Sequence, residues 1–142
     1  MNDLRVEEER DRTFPRLIES LVERNRSMAH GYEIGLEVGE GLPTTSLGEA
    51  GTQILRVLQE ALTNARRHSE AGNVEVRLSK DGDELVLEVV DDGRGFGPGI
   101  TPGVGLESMR ERATALGGKL GTDSHMGQGT RVRLRGPLPQ EG

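Results

Sequence analysis

Three stretches of this chain carry residue types at spacings that could do chemistry. The first is Asp91-Asp92-Gly93-Arg94-Gly95-Phe96. It follows Glu-Leu-Val-Leu-Glu-Val-Val at 84–90. There Leu85, Leu87 and Val89 alternate with Glu84, Val86 and Glu88, the period of a strand with one buried face. Asp91 keeps the inward parity, so a carboxylate is aimed at the core side where the strand ends. Burying it without a partner would cost several kcal/mol. A ligand that donates hydrogen bonds to it would remove that cost. Gly93 and Gly95 would let backbone come close to such a ligand. The plainer reading is a strand ending in an Asp-Gly turn.

The second stretch is helical. Glu60 and Asn64 are spaced i and i+4, and Arg67 and His68 continue the row one turn later. The row lies away from Leu58, Leu62 and Ala65. It offers a base, a metal-binding oxygen and phosphate donors. A solvated face with a Glu–Arg pair is the simpler alternative. The third stretch, Gly103-Val104-Gly105-Leu106, opens a helix. Free N–H groups at a helix start bind anions, and glycines admit phosphate oxygens; ordinary capping is the alternative. The segment 96–103 between the glycine sites has the composition of a mobile lid, or of a surface loop anchored by Phe96. Arg131, Arg133 and Arg135 alternate outward on the last strand and read as a solvated face without function.

These residues need elements to hold them. Residues 1–12 are highly charged and read as a linker stub. Thr13 can cap a first helix running to about Arg26, with Phe14, Leu17, Ile18, Leu21 and Val22 as its apolar stripe. Pro15 is tolerable in its first turn. A strand follows with Ile34, Leu36 and Val38 inward, then a loop over 39–51. The second helix runs from about Gly51 to His68 on Ile54, Leu55, Leu58, Ala61, Leu62 and Ala65. Strands with Val74, Val76, Leu78 and with Leu85, Leu87, Val89 inward are joined by a hairpin turn at Lys80-Asp81-Gly82-Asp83. A third helix spans about Leu106 to Leu116 and ends at Gly117-Gly118. Two strands near 119–124 and 130–135 close the domain, with Thr130, Val132 and Leu134 on one face, and 138–142 is a tail. Hairpins dominate the second half. The fold class is α/β: a two-layer sandwich with a mixed, mainly antiparallel sheet and helices on one face.

Composition narrows the function. The 142 residues fit one domain, here 13–137. Net charge is −6, which gives no broad footprint for nucleic acid, so phosphates would need local donors. Without cysteine there is neither a disulfide framework nor a thiolate metal site. His30, His68 and His125 lack metal-ligand spacing. No apolar run approaches a membrane span and the N-terminus is no signal peptide, so a soluble, cytoplasmic protein is expected. The 21 glycines are about twice the usual share of ~7% and sit in loops between periodic segments. There is no P-loop motif, and Gly-Val-Gly follows a loop and not a strand, which is not the Rossmann arrangement.

The order of the motifs resembles the ATP-binding domain of sensor histidine kinases, within the gyrase, chaperone, kinase and mismatch-repair ATPase superfamily, with its Bergerat-type fold. Gln59-Glu60-Ala61-Leu62-Thr63-Asn64-Ala65-Arg66-Arg67-His68 resembles the N box. Asp91 to Gly95 resembles the first glycine box and Gly103 to Leu106 the second. Gly105-Leu106-Glu107-Ser108-Met109-Arg110-Glu111-Arg112-Ala113, Gly117-Gly118 and Gly127-Gln128-Gly129-Thr130 are similar to the nitrate-sensor and desaturase-sensor subfamily, as is the short lid. The resemblance covers about residues 14–137. It implies that ATP and Mg²⁺ are the cofactors. Asp91 would accept from the adenine amino group, with Thr130 supporting the base. Asn64 would ligate Mg²⁺. Arg67 and His68 would lie near the phosphates, and Gly93, Gly95, Gly103, Gly105 and Leu106 would shape the lid hinges and the phosphate-facing backbone. Glu60 would be the base in phosphoryl transfer.

A complete histidine kinase also carries its acceptor histidine on a helical dimerisation segment. None of the chain's three histidines fits that place. The expected partner is therefore a phosphoacceptor domain of the same or a partner kinase, with a response regulator reached indirectly. The chain would be an excised catalytic domain or half of a split kinase, monomeric by itself, without nucleic-acid or direct membrane contact. An anti-sigma-factor-type serine kinase and a non-catalytic nucleotide-binding module are the alternatives.

Overall fold

The computed structural model describes residues 13–43, 48–68, 72–93, 104–125 and 129–138. The charged stub, the lid segment with Phe96, and the tail from 139 lie outside them. The elements are α1 (Phe14–Met28), β1 (Glu33–Val38), α2 (Gly48–His68), β2 (Asn73–Asp81), β3 (Glu84–Asp91), α3 (Val104–Ala115), β4 (Lys119–His125) and β5 (Gly129–Pro137).

Local chemistry explains the helix ends. Thr13 occupies the N-cap position of α1, and its carbonyl accepts the Leu17 N–H at 3.0 Å. The expected side-chain cap is not made. Pro15 stands in the first turn and has no N–H, which removes one of the donors that such a cap serves. α2 begins three residues before the expected Gly51, as Glu49 places an acid in its first turn and accepts from Gln53 Nε2 at 2.7 Å. α3 ends in a Schellman motif. Gly117 has φ +75°, its N–H donates to Thr114 O, and Gly118 N–H donates to Ala113 O, both at 2.9 Å.

The five-stranded sheet has the order β1-β2-β3-β5-β4. β1 and β2 are parallel because α2 crosses over between them. The other pairs are antiparallel, β2 and β3 being joined by a two-residue turn at Gly82 and Asp83. The register aligns the inward residues: Val76 with Val89, Leu78 with Leu87, Leu87 with Leu134, and Val89 with Val132. One core joins this face to Ile18 and Val22 of α1, Ile54, Leu58 and Leu62 of α2, and Met109 and Ala113 of α3. The described residues thus form the expected two-layer sandwich, a mixed sheet with three helices on one face.

Val38 departs from its expected inward place, being 38% exposed. It ends an edge strand that is hydrogen-bonded on one side only, so its flank stays open. On the outer face the arginine row is tied into cross-strand ion pairs. Arg133 donates through Nε and Nη2 to Glu88 Oε2 at 3.0 and 2.6 Å, and Arg135 Nη1 reaches Asp81 and Glu84. Among the described residues no helix is long and apolar enough to cross a membrane.

Met109 is fully buried and links α3 to this core. Met109→Ala should cost about 2–5 kcal/mol in denaturant unfolding. A loss below about 1 kcal/mol would contradict the packing of α3 described here.

Candidate functional site

Topology gathers the candidate residues at one end of the sheet. β3 ends at Asp91 where β5 begins at Gly129, and the register sets Asp91 between Val74 and Thr130. β1 and β2 begin at this end, Glu33 pairing with Asn73. α2 finishes at His68, just before β2 starts, so its last turns lie here as well. By the rise of a helix, Asn64 and Glu60 stand about 6 and about 12 Å back from that terminus. α3 starts here too, since its far end lies by Pro137 at the other end of β5, where Gly117 approaches.

Asp91 is 7% exposed, one of two buried polar residues in the described chain. Its Oδ1 accepts the Gly93 N–H at 3.0 Å, and the backbone of Thr130 also hydrogen-bonds it. Burial pushes the carboxyl above the ordinary carboxylate range; the Gly93 and Thr130 N–H groups pull it back, and the charge on Asp92 adds to the rise. Asp91 is thus a mostly buried acceptor whose burial the backbone N–H groups of Gly93 and Thr130 only partly offset.

Gly129 explains how the strands close so tightly around it. Its φ is +87°, and a Cβ there would stand 2.0 Å from Asp91 O and 3.1 Å from Asp92 Cα. Only glycine fits. Asp92, which the sequence reading gave no task, ties the end of β3 to the start of β2. Its Oδ1 accepts the N–H groups of Gly72 and Asn73 at 2.8 and 2.9 Å, and its Oδ2 accepts Asn73 Nδ2 at 3.2 Å. The Asn73 backbone N–H, foremost, holds the Asp92 carboxyl below the ordinary range. The sequence signal for this lock was only the doubled acid at a strand end.

On α2, Glu60 and Asn64 are half-buried and Arg67 is exposed, flanking the buried Ala61, Leu62 and Ala65. No ion pair joins Glu60 to Arg67 among the described residues, while the exposure of Arg67 is that of a solvated face. His68 ends α2, and its side chain is outside the described residues. Gly93 is buried beside Asp91, Gly105 lies in the first turn of α3, and Thr130 is half-buried opposite Asp91. Gly95, Gly103, Gly127 and Gln128 lie outside the described residues. Leu106 is 7% exposed and belongs to the core, where it pins the start of α3.

Among the described residues, no three His, Cys, Asp or Glu side chains cluster as a metal site. A hard ion that keeps most of its waters and is shared with a ligand's phosphates needs no such cage, and one carboxamide oxygen such as that of Asn64 fits it.

Asp91 and Asp92 give stability opposite pH dependences. A carboxyl raised by folding is neutral at low pH without cost, and destabilises as pH rises through its raised value. A lowered carboxyl stabilises above ~3.9 and loses that contribution as pH falls through its folded value. In urea unfolding, the stability of Asp91→Asn relative to wild type should therefore rise between pH 3 and pH 7, and that of Asp92→Asn should fall. Two gaps that stay constant with pH would contradict both assignments.

Comparison with known proteins agrees with this fold. Residues 49–140 match the family model described as histidine kinase-, DNA gyrase B- and HSP90-like ATPase. The histidine kinase domain of the blue-light activated histidine kinase from Erythrobacter litoralis superposes with a TM-score of 0.71 at 26% identity, over 88% of this chain and 60% of that one. The histidine kinase AdeS from Acinetobacter baumannii superposes with a TM-score of 0.70 at 18% identity, over 90% of this chain and 66% of that one, a likeness of fold. The chain thus spans about two thirds or less of these proteins' lengths. With the family model matching more than half of its residues, the chain belongs to the histidine kinase-, DNA gyrase B- and HSP90-like ATPases.

Proposed function

We propose that this domain binds Mg-ATP and donates the γ-phosphoryl group to a histidine on a separate dimerisation and phosphoacceptor domain, within two-component signalling. The observation that carries the reading is the buried Asp91 carboxylate at the end of β3, walled by Gly93, Thr130 and Gly129. A flat base with an exocyclic amino group, placed against Asp91, supplies the donor that this acceptor wants, and Thr130 supports it from the next strand. The order of the N box and glycine boxes, and the likeness to histidine kinase domains, support the same reading.

In this account Asn64 holds Mg²⁺ through its carboxamide oxygen, while Arg67 and His68 approach the phosphates. The ion, when bound, neutralises charge on the β- and γ-phosphates. Gly93, Gly95, Gly103 and Gly105 let backbone N–H groups come close to those oxygens, with Leu106 anchoring the helix behind them. Glu60 takes the proton released when the acceptor nitrogen attacks. The α3 segment through Ala113 and the Gly117-Gly118 terminus favour the nitrate-sensor and desaturase-sensor subfamily. The domain works in the cytoplasm, where ATP is available, as a monomer that meets its acceptor domain transiently, and a response regulator receives the phosphoryl group from that domain.

Incubation with labelled ATP and a candidate acceptor tests this directly. Acid-labile phosphate on histidine is expected. Acid-stable phosphate on serine would point instead to a serine kinase of the anti-sigma-factor type, and binding without transfer to a nucleotide-binding module. Asp91→Asn should weaken nucleotide binding by about 1.5–3 kcal/mol in calorimetry. Glu60→Gln should retain binding and slow single-turnover transfer by ~10²–10⁴, whereas Asn64→Ala should also lose Mg²⁺-dependent binding. Near-wild-type transfer by Glu60→Gln would remove Glu60 from the reaction and leave the nucleotide site standing.

A further inference from the structure

Asn25 interrupts the apolar stripe of α1. It falls on the buried face after Ile18, Leu21 and Val22 and is only 4% exposed. Its Nδ2 donates to Leu21 O at 2.8 Å and, across the helix interface, to Gln59 Oε1 at 3.0 Å. Gln59 Nε2 in turn donates to Thr63 Oγ1 at 2.9 Å, with a longer contact of 3.4 Å back to Asn25 Oδ1. Three side chains thus form one polar chain from α1 into α2.

As a source of stability such a chain is poor. Apolar groups of matching shape would hold the two helices together about as well. What the amides add is direction. Partly buried donors and acceptors are satisfied at one rotational setting of α2, whereas an oily contact tolerates several. Gln59 and Thr63 are each followed immediately by a candidate site residue, Glu60 and Asn64, ~100° further round the helix. A side-chain tip ~6 Å from the helix axis moves about 1 Å for each ~10° of rotation. A displacement of that size can cost ~10²-fold in rate.

We infer that Asn25, Gln59 and Thr63 are positioning residues, which set the rotation of α2 and thereby place the Glu60 carboxylate and the Asn64 carboxamide. What those two groups then do rests on the function proposed above; the rotational setting does not.

The test replaces both amides with apolar groups of similar size, Asn25→Leu with Gln59→Met, and compares this pair with the swapped pair Asn25→Gln with Gln59→Asn. In the ligand-free protein, the Asn64 side-chain NH₂ resonances should move in the apolar pair and return in the swapped pair. Thermal unfolding of the apolar pair should stay close to wild type. Phosphoryl transfer should fall ~10²-fold in the apolar pair and recover in the swap. A purely structural role gives the opposite result: unmoved Asn64 resonances and unchanged transfer in a folded apolar pair overturn the inference. Should the apolar pair fail to fold, Thr63→Val removes one acceptor alone and is read by the same resonances, with Thr63→Ser as its rescue. If wild type neither binds ATP nor transfers phosphate, the proposed function falls, while the Asn64 resonances still decide the positioning role.

Discussion

A carboxylate on the core face of a sheet has to be given donors, and Asp91 takes them from backbone. The Gly93 N–H reaches it from the turn that ends β3, and Thr130 from the neighbouring strand. That demand fixes much of what surrounds it. β5 must start alongside β3 with no side chain in the way, hence Gly129 at φ +87°. Asp92, the next residue after β3, grips Gly72 and Asn73 and so ties the end of β3 to the start of β2. The donors do not erase the penalty of burial, since the carboxyl remains raised. That unfavourable remainder is what a hydrogen-bond donor placed against Asp91 would relieve.

α2 is the second fixed part. Ala61 and Ala65 are buried on its inner face, and such small side chains allow a close approach of helix to sheet. Leu58 and Leu62 supply the apolar area that holds it there. Its rotation is read by the polar chain to α1, and Arg112 of α3 donates to Gln53 at 2.8 Å on its N-terminal half. α2 is therefore held by oil from below and by directional bonds on both flanks. An element that presents an acid and an amide to a shared ligand benefits from being held this way.

The strands and their faces were readable because inward residues recur at every second position of β2 and β3, although Val86 on the other face of β3 is buried too. Asp91 could be placed from parity alone. α2 was readable from its apolar period, and the Gly117-Gly118 end from glycine's tolerance of positive φ. Several features were not legible. Whether Thr13 caps α1 depends on which N–H groups Pro15 leaves available, and the expected bond is not made. Val38 has the right parity but sits on an edge, a fact of sheet order that no local pattern encodes. Asn25 stood in plain sight as a polar residue on an apolar period, yet its partner is 34 positions away and only the tertiary fold names it. The arginines of β5 are solvent-exposed as expected, and only the cross-strand register reveals their acidic partners Glu88, Asp81 and Glu84. Local periodicity thus reveals which way a side chain points, and long-range register decides what it meets.

The central claim is that Asp91 recognises the amino group of a purine base. Comparing ADP with IDP by calorimetry tests it most directly, because hypoxanthine puts a carbonyl acceptor where adenine has its exocyclic amino donor and moves the remaining donor of that edge to N1–H. The carboxylate should favour ADP by about 10–100-fold, the range of one hydrogen bond to a charged group. In Asp91→Asn, whose amide can rotate to donate, most of that preference should vanish. Equal affinity of the wild-type domain for ADP and IDP would contradict the account.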